Sequence, residues 1–381
     1  MGIRRRTLAC GLHLALALLF AAVGAQGARA AESPRQLSLR EKVVALDLAG
    51  AWPPADAPPG LASTFRLAAG DVFGEKRDAL AVLYRLPGDS GHHLSVYRLQ
   101  TAAGAGTAAI RGLAVAAQAD VPDLLADGLV AADVTGNGRA ELWLGHSPSV
   151  GCLEWDGERL VPLQPWKFWQ NKPVTAGRLG GGAGAPDQIL AFGAWYSPEV
   201  GVGLISAWWR DKMWGKAFDL RGSEFFCPGD RVAAADVDGD GAPELLLAAS
   251  PRRSVLPRQP FTVAALREEK VIASLDGLFP EAMAVADLSG DGVPEIYFAE
   301  NLPGSEGQAS GGRVTGFEWN GRRLQEVFRR DFPQPVADLT AGDFAGDGLP
   351  SLVVGLIRPE KETARLTLAI LRLRGEDDLG W

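Results

Sequence analysis

The 381-residue chain predicts an all-β fold, a β-propeller of about six four-stranded blades, with seven as the alternative. One acidic loop pattern recurs four times between short apolar strands, as DVTGNGRAEL, DVDGDGAPEL, DLSGDGVPEI and DFAGDGLPSL. These copies start at Asp133, Asp236, Asp287 and Asp343, and weaker copies start at Asp71 and Arg178. The six starts have a mean period of about 54 residues, which suits one four-stranded propeller blade per repeat.

The N-terminal segment, residues 1–30, predicts a secretory signal peptide. Three arginines (Arg4–Arg6) precede an apolar stretch from about Leu8 to Val23, and Ala28-Arg29-Ala30 offers a cleavage site between small residues. The apolar run is short for a membrane-spanning helix. We therefore expect an exported protein, periplasmic or extracellular, in which residues 31–381 form one propeller domain.

The ends of the repeat array predict how the ring closes. The last unit has only three clear strands, and the segment Lys42–Leu48 (KVVALDL) precedes the first complete unit. We expect this N-terminal strand to complete the last blade, because pairing there covers strand edges that otherwise promote aggregation. Two units also share a hairpin signal, Asp156-Gly157 and Asn320-Gly321, at the same place in the repeat.

The charge balance argues against a nucleic-acid partner. The net charge is −8, and removing residues 1–30 takes away four arginines and brings it to −12. Eleven acids fall at the presumed ligand positions of the four clear loops, so much of this charge is local. Bound divalent cations would bring the net charge close to that of an ordinary soluble domain.

In the loop pattern, oxygen-bearing side chains fall at positions 1, 3, 5 and 9, with glycine at 4 and 6; the last loop departs from it with alanine at position 3. Alternate residues can then point inward at a hard cation, while glycine permits the tight turn. Position 7 would add its backbone carbonyl oxygen. The resulting metal-site prediction comprises Asp133, Thr135, Asn137, Arg139 and Glu141; Asp236, Asp238, Asp240, Ala242 and Glu244; Asp287, Ser289, Asp291, Val293 and Glu295; and Asp343, Asp347 and Leu349.

The four loops resemble the FG-GAP, or VCBS-type, repeat of integrin α-subunit propellers and of many exported bacterial proteins. The resemblance covers residues from about 40 to 381 and implies that each loop joins the first two strands of a blade and holds Ca²⁺, about three to four ions in all. An EF-hand closes its loop at position 12 between helices, whereas this pattern closes at position 9 between strands, so we reject it. The alternative for any one copy is a metal-free turn, since Asp, Asn and Gly favour turns on their own.

The copies differ in the number of ligands that they offer. The loop at Asp236 carries four carboxylates, and the last loop has Ala345 and Ser351 at two ligand positions. We therefore expect Asp238→Ala or Asp240→Ala to cost more stability than Asp347→Ala. The weaker copies at Asp71 and Arg178 favour metal-free turns.

Aromatic residues predict a ligand surface on the face opposite the calcium loops. Trp166, Phe168, Trp169, Trp195 and Tyr196 fall in segments without a clear strand pattern, close to the long connections of that face. Propeller partners tend to bind variable loops held on a rigid ring, so a protein or carbohydrate ligand is expected there. The alternative is that these aromatics only cover the blade that carries them.

No catalytic constellation is evident in the sequence. It lacks His-Glu-x-x-His, Gly-x-Ser-x-Gly and a phosphate-binding loop. We therefore expect a protein-binding or scaffolding module rather than an enzyme, with a lectin-like sugar binder or a polysaccharide-active enzyme as alternatives. Two cysteines remain after processing, Cys152 and Cys227, and the sequence leaves their pairing open.

Overall fold

The computed structural model describes most of the chain beyond the N-terminal segment. The described residues are 36–51, 65–86, 89, 91–101, 110–121, 126–146, 149–167, 174–179, 187–197, 201–204, 207–210, 213–216, 231–248, 261–265, 270–278, 280–304, 309–360 and 363–373. The predicted signal peptide, residues 1–30, lies outside them. In the part of the chain just given, no helix has the length and apolar character needed to cross a membrane.

The described strands form antiparallel sheets whose strands follow chain order, except that the first strand pairs with the last. The chain begins with β1 (Leu39–Ala51). The first blade contains β2 (Arg66–Gly70), β3 (Ala79–Tyr84), β4 (His92–Thr101) and β5 (Ile110–Val121). The second contains β6 (Ala126–Ala132), β7 (Glu141–His146), β8 (Ser149–Trp155) and β9 (Leu160–Lys167).

Shorter strands follow, before the pattern of four resumes. A three-stranded sheet contains β10 (Val174–Leu179), β11 (Gln188–Ser197) and β12 (Gly201–Leu204), and a two-stranded sheet contains β13 (Ala207–Arg210) and β14 (Met213–Lys216). The third blade contains β15 (Arg231–Ala235), β16 (Glu244–Ala248), β17 (Phe261–Ala265) and β18 (Lys270–Leu275). The fourth contains β19 (Ala282–Ala286), β20 (Glu295–Pro303), β21 (Ala309–Trp319) and β22 (Leu324–Phe332).

The closing blade contains β23 (Val336–Gly342), β24 (Ser351–Glu360), β25 (Thr363–Leu373) and the N-terminal strand β1. The pairing of β1 with β25 places Lys42 opposite Ile370 and continues, past a bulge between Ala45 and Ala49, to the end of β1. The prediction that the N-terminal strand completes the last blade is confirmed. This pairing covers the outer edge of β25.

The innermost strands lie side by side in a closed cycle, which makes the fold a β-propeller. Strand β2 contacts β6, and the cycle continues through β10, β15, β19 and β23 back to β2. The predicted count of six or seven four-stranded blades is wrong, because the described residues contain five. The region around the Arg178 unit departs from the pattern: β12, β13 and β14 have four residues each and belong to a three-stranded and a two-stranded sheet.

The hydrophobic core lies between neighbouring blades rather than within one. Both faces of a blade are covered, so second strands read as continuous apolar runs, as in β3 (ALAVLY) and β24 (SLVVGLI). Tyr297 of β20 and Val354 of β24 belong to one buried cluster, which joins the fourth and closing blades. Leu80 of β3 and Leu368 of β25 belong to another, which joins the first and closing blades.

One cysteine is described, and it lies in the core. Cys152 of β8 is buried and carries a free thiol. Burial raises the pKa of this thiol well above its ordinary value, so it stays protonated at neutral pH. Cys227 lies outside the described residues.

Candidate metal centre

All four clear loops fold into the same turn around the aspartate at position 1. One carboxylate oxygen of this residue accepts the N–H of the glycine at position 6, and in the loop starting at Asp236 the distance from Gly241 N to Asp236 Oδ2 is 2.8 Å. The same bond occurs in the loops at Asp133, Asp287 and Asp343. Gly239 and Gly241, at positions 4 and 6, have φ values of 76° and 85°, which L side chains rarely adopt.

The closing glutamate of the pattern begins the second strand of its blade, where it is buried. Glu141, Glu244 and Glu295 each expose 2 % or less of their surface. One carboxylate oxygen of each accepts the backbone N–H of loop position 2, at 2.8 to 3.0 Å, from Val134, Val237 or Leu288. Burial raises the pKa of all three carboxyl groups, which indicates that their charge lacks full compensation within the chain.

The loop at Asp236 gathers the densest group of carboxylates. Ligand atoms of Asp236, Asp238 and Glu244 lie within 4.8 Å of one another. Asp236 Oδ1 is buried and has no hydrogen-bond partner. Burial, followed by the charges of Asp238, Asp240 and Asp236, raises the pKa of Glu244 to about 7. An unpartnered buried oxygen beside other carboxylates fits Ca²⁺, which binds such oxygens.

The loop at Asp287 also has one buried oxygen without a partner, whereas no such oxygen is found in the loop at Asp133 among the described residues. In the former, Glu295 Oε1 is buried without a hydrogen-bond partner, whereas both oxygens of Asp287 accept backbone N–H groups. In the latter, both oxygens of Glu141 accept hydrogen bonds, one of them from Thr135 Oγ1 at 2.6 Å. The charge count therefore places the loop at Asp236 first, and both the charge count and the free oxygens place the loop at Asp133 last of these three.

In the loop at Asp343 an arginine contacts the acid at position 5. Both carboxylate oxygens of Asp347, at position 5, accept hydrogen bonds from the guanidinium of Arg372. Burial raises the pKa of Asp347, but the hydrogen bond and the charge of Arg372 outweigh it and hold the pKa below its ordinary value. This predicted ligand is already paired with a cation of the chain.

The weaker copy at Asp71 adopts the same turn in spite of its sequence. Asp71 Oδ1 accepts the N–H of Glu75, and Oδ2 accepts that of Lys76. Lys76 takes the place of the glycine at position 6 with a φ of 57°. Glu75, at position 5, pairs with Arg77 and Arg98. The turn is therefore set by the first aspartate rather than by a full set of ligands.

Four pairs of neighbouring loops contact one another in the described part of the ring. The side chain at position 7 of one loop lies over the glycine at position 4 of the preceding loop. A Cβ added at Gly239 would lie 3.4 Å from Val293 Cγ2, and one added at Gly290 would lie 3.7 Å from Leu349 Cδ2. The same relation joins Arg139 to Gly74 and Arg77 to Gly346. Position 7 thus links loops as well as carrying a candidate carbonyl ligand.

Two aspartates act between blades in a way that the sequence pattern does not reveal. Asp78 N donates to the carbonyl of Asp343 at 2.8 Å, and Asp78 Oδ2 accepts the N–H of Asp343 at 2.7 Å. Asp187 and Asp133 make the same reciprocal pair, at 2.8 and 3.0 Å. Both aspartates immediately precede a second strand, where three other units have proline and so lack the N–H.

The predicted aromatic surface is only partly described. Phe168 and Trp169 lie outside the described residues. The prediction that the other three lie in loops is wrong, because all three lie in strands. Trp166 lies in β9 opposite Val150, and Trp195 and Tyr196 lie in β11 opposite Gly203 and Val202. Strand β9 continues through Pro165 because it is the outer strand of its sheet, where the missing N–H of proline is tolerated.

The two hairpins predicted from Asp-Gly and Asn-Gly are confirmed. Asp156 N bonds to the carbonyl of Arg159, and Asn320 N to that of Arg323, both at 3.1 Å. They join the third and fourth strands of the second and fourth blades. In an antiparallel meander such hairpins lie at the same end of the blade as the loops between the first and second strands. The acidic loops and these hairpins therefore share one face.

Comparison with known proteins gives low similarity throughout. No protein-family model matches the chain, and no curated protein matches it. Among solved structures, BBS1N in complex with ARL6DN is 10 % identical with a TM-score of 0.47, covering 91 % of this chain and 100 % of that one. The WD40 domain of coronin from Toxoplasma gondii is 12 % identical with a TM-score of 0.45, covering 91 % and 90 %. The Photorhabdus luminescens Tc holotoxin pore is 16 % identical with a TM-score of 0.45, covering 90 % and 15 %.

Proposed function

We propose that this protein is an exported calcium-binding β-propeller that acts as a protein-binding or scaffolding module. The observation that carries the calcium proposal is the carboxylate group of Asp236, Asp238 and Glu244, with its buried and unpartnered Asp236 oxygen. A divalent cation would compensate this charge and occupy the free oxygen. We further infer that the loops are of the FG-GAP or VCBS type, from the ligand spacing that they share with that family.

Loop by loop, the described contacts give unequal support. The loops at Asp236 and Asp287 each have a buried carboxylate oxygen without a hydrogen-bond partner, Asp236 Oδ1 and Glu295 Oε1. The loop at Asp133 has its glutamate oxygens already hydrogen-bonded, so a cation there would have to displace the Thr135 hydroxyl from Glu141. We therefore propose the strongest calcium sites in the third and fourth blades.

Thermal unfolding of protein freed of divalent cations tests the calcium proposal. Calcium should raise the melting temperature and magnesium much less, because Mg²⁺ demands near-ideal octahedral geometry and gives up its water reluctantly. Glu244→Gln keeps the shape of the side chain and removes its charge, so it should reduce the calcium-dependent rise. Glu158→Gln, at an exposed acid on the Asp156–Arg159 hairpin, is the matched control. A calcium response of zero in the unaltered protein would reject the proposal.

The scaffold part of the proposal concerns the face opposite the acidic loops. A propeller is a rigid ring, and its second-to-third and fourth-to-first connections lie on that face in every four-stranded blade. We propose that a protein or carbohydrate partner binds there, close to the segment that carries Trp166, Phe168, Trp169, Trp195 and Tyr196. Once a partner has been identified, Trp169→Ala and Tyr196→Ala should weaken its binding and leave the melting temperature unchanged. If binding is lost only when the acidic loops or the hairpins beside them are changed, the partner binds the face that carries these loops.

A further inference from the structure

Two of the acidic loops lack the closing glutamate, and they lie on the two sides of the ring closure. Position 9 is Ala79 in the loop at Asp71 and Ser351 in the loop at Asp343. The first loop belongs to the first blade and the second to the closing blade, and the innermost strands of these blades, β2 and β23, are neighbours. Both loops nevertheless keep the turn around the position 1 aspartate.

In both of these loops an arginine from the third strand of the blade reaches the acid at position 5. Arg98 of β4 donates to Glu75 Oε1 at 2.7 Å, and its guanidinium lies 3.8 Å from the centre of the Phe73 ring. Arg372 of β25 donates to both oxygens of Asp347, and its side chain is 6 % exposed. Each guanidinium places one positive charge at a ligand position of its loop.

The two arginines occupy the same place in the blade, directly across from the missing glutamate. Leu80 pairs with Tyr97, and extending this antiparallel register by one residue places Arg98 opposite Ala79. Leu352 pairs with Leu371, and the same extension places Arg372 opposite Ser351. The cation therefore comes from the strand position that faces position 9.

The loops that keep the glutamate have no basic residue at that place. Glu244 pairs with Ala265. Extending the ladders by one residue places Glu154 opposite Glu141 and Glu318 opposite Glu295. Within this one chain, a closing glutamate goes with a neutral or acidic residue across the ladder, and a small residue goes with arginine. Compared with the loops that keep the glutamate, each of the other two loops has one negative side chain fewer and one positive side chain more.

We propose that Arg98 and Arg372 are built-in cations that replace a bound metal ion in the loops at Asp71 and Asp343. These two loops then hold their shape at any calcium concentration, and they flank the seam where the ring closes. The seam is reinforced without metal by three further hydrogen bonds between blades: the reciprocal pair of Asp78 and Asp343, and the bond from Leu67 N to Asp338 Oδ2 at 2.8 Å. The contrast with the remaining loops depends on the calcium function proposed above, whereas the role of the arginines does not.

Hydrogen exchange of individual loop amides, with and without calcium, tests the proposal. In the unaltered protein, removing calcium should speed exchange at least tenfold in the loops at Asp236 and Asp287 and leave the loops at Asp71 and Asp343 unchanged. Arg372→Gln should speed exchange in the loop at Asp343 equally in both buffers. Arg365→Gln, on the same strand but 51 % exposed, is the matched control.

The outcomes separate this inference from the calcium function. If only the loops at Asp236 and Asp287 respond to calcium and Arg372→Gln acts locally, both stand. If no loop responds to calcium but Arg372→Gln still acts locally, the arginine role stands and the calcium function fails. An equal calcium response in the loop at Asp343, or normal exchange there in the Arg372→Gln variant, overturns the inference. Arg98→Gln, at a more exposed arginine, gives the same readout if the Arg372 variant does not fold.

A converted loop provides the reverse experiment. Ala345→Asp, Ser351→Glu and Arg372→Ala together give the loop at Asp343 the ligand pattern of the loop at Asp236. Calorimetric titration should then detect one calcium ion more than in the unaltered protein. An unchanged stoichiometry in a folded variant would show that the arginine does not decide whether this loop takes a metal ion.

Discussion

The loops at Asp236 and Asp343 have the same backbone turn and opposite electrostatics. In each, the aspartate at position 1 accepts the N–H of the glycine at position 6, at 2.8 and 2.7 Å. The first then gathers carboxylates around a buried oxygen that lacks a partner, while the second pairs its position 5 acid with a buried arginine. The turn therefore depends on a few hydrogen bonds to backbone N–H groups. The other loop positions determine whether the compensating positive charge is a bound cation or an arginine side chain.

The largest expected difference between these loops is in their response to pH without metal. The pKa of Glu244 is raised from 4.5 to about 7, so its contribution to stability is complete below pH 4.5 and is lost as pH rises through about 7. In calcium-free buffer this costs about 2–4 kcal/mol of unfolding free energy across that window. The pKa of Asp347 is lowered instead, so the stability that it contributes is lost only as pH falls below its ordinary value.

Denaturant unfolding at several pH values, in buffer stripped of divalent cations, measures this difference. Adding calcium should abolish most of the loss above pH 6, because the cation competes with the proton for the same carboxylates. Glu244→Gln should remove the part of the pH dependence of stability that Glu244 contributes, and leave the smaller parts that Glu141 and Glu295 contribute. A curve of the unaltered protein that is level from pH 5 to 7 without calcium would contradict the expectation.

The second difference concerns the removal of an acid from each loop. Asp347→Ala leaves the guanidinium of Arg372 buried and unpaired, so it should cost about 1–3 kcal/mol with or without calcium; the partial exposure of Asp347 keeps the cost below that of a fully buried pair. Asp240→Ala should cost little without calcium and reduce the stabilisation that calcium gives. For the metal-free protein, the structure therefore predicts a larger loss of stability from Asp347→Ala than from Asp240→Ala, which is the reverse of the order that the charge count predicts. Equal losses from Asp347→Ala and Asp240→Ala without calcium would contradict this.

The smallest expected effect is the coupling between adjacent loops. The Val293 side chain lies over Gly239, which separates the ligand positions of Asp238 and Asp240. Binding at the Asp287 loop should therefore favour binding at the Asp236 loop, and Val293→Ala should reduce this coupling by about 0.5 kcal/mol, or about twofold in affinity. Calcium titration calorimetry of this variant, beside Val115→Ala at an exposed site on β5, measures it. Identical calcium-binding curves for Val293→Ala and Val115→Ala would show that the two loops bind calcium independently.

Much of the architecture was readable from the sequence because it depends on local patterns. The recurring loop, the apolar strands and the two Asn-Gly or Asp-Gly hairpins each reflect short-range turn chemistry, and the repeat period fixes a propeller. The closing strand β1 was also predictable, since a unit of three strands leaves one position to fill. The count of four-stranded blades was not, because β12 to β14 are too short for their apolar residues to reveal how they pair.

For the candidate site, the sequence by itself determined which residues can present oxygens at alternate positions of each loop. Only the tertiary structure decided which of those oxygens lack a partner. Arg372 follows Asp347 by 25 residues and Asp78 precedes Asp343 by 265, so neither contact leaves a signal in a local pattern. Strand register and ring closure bring them together. Charge compensation is set by distance in space, whereas a sequence motif records only distance along the chain.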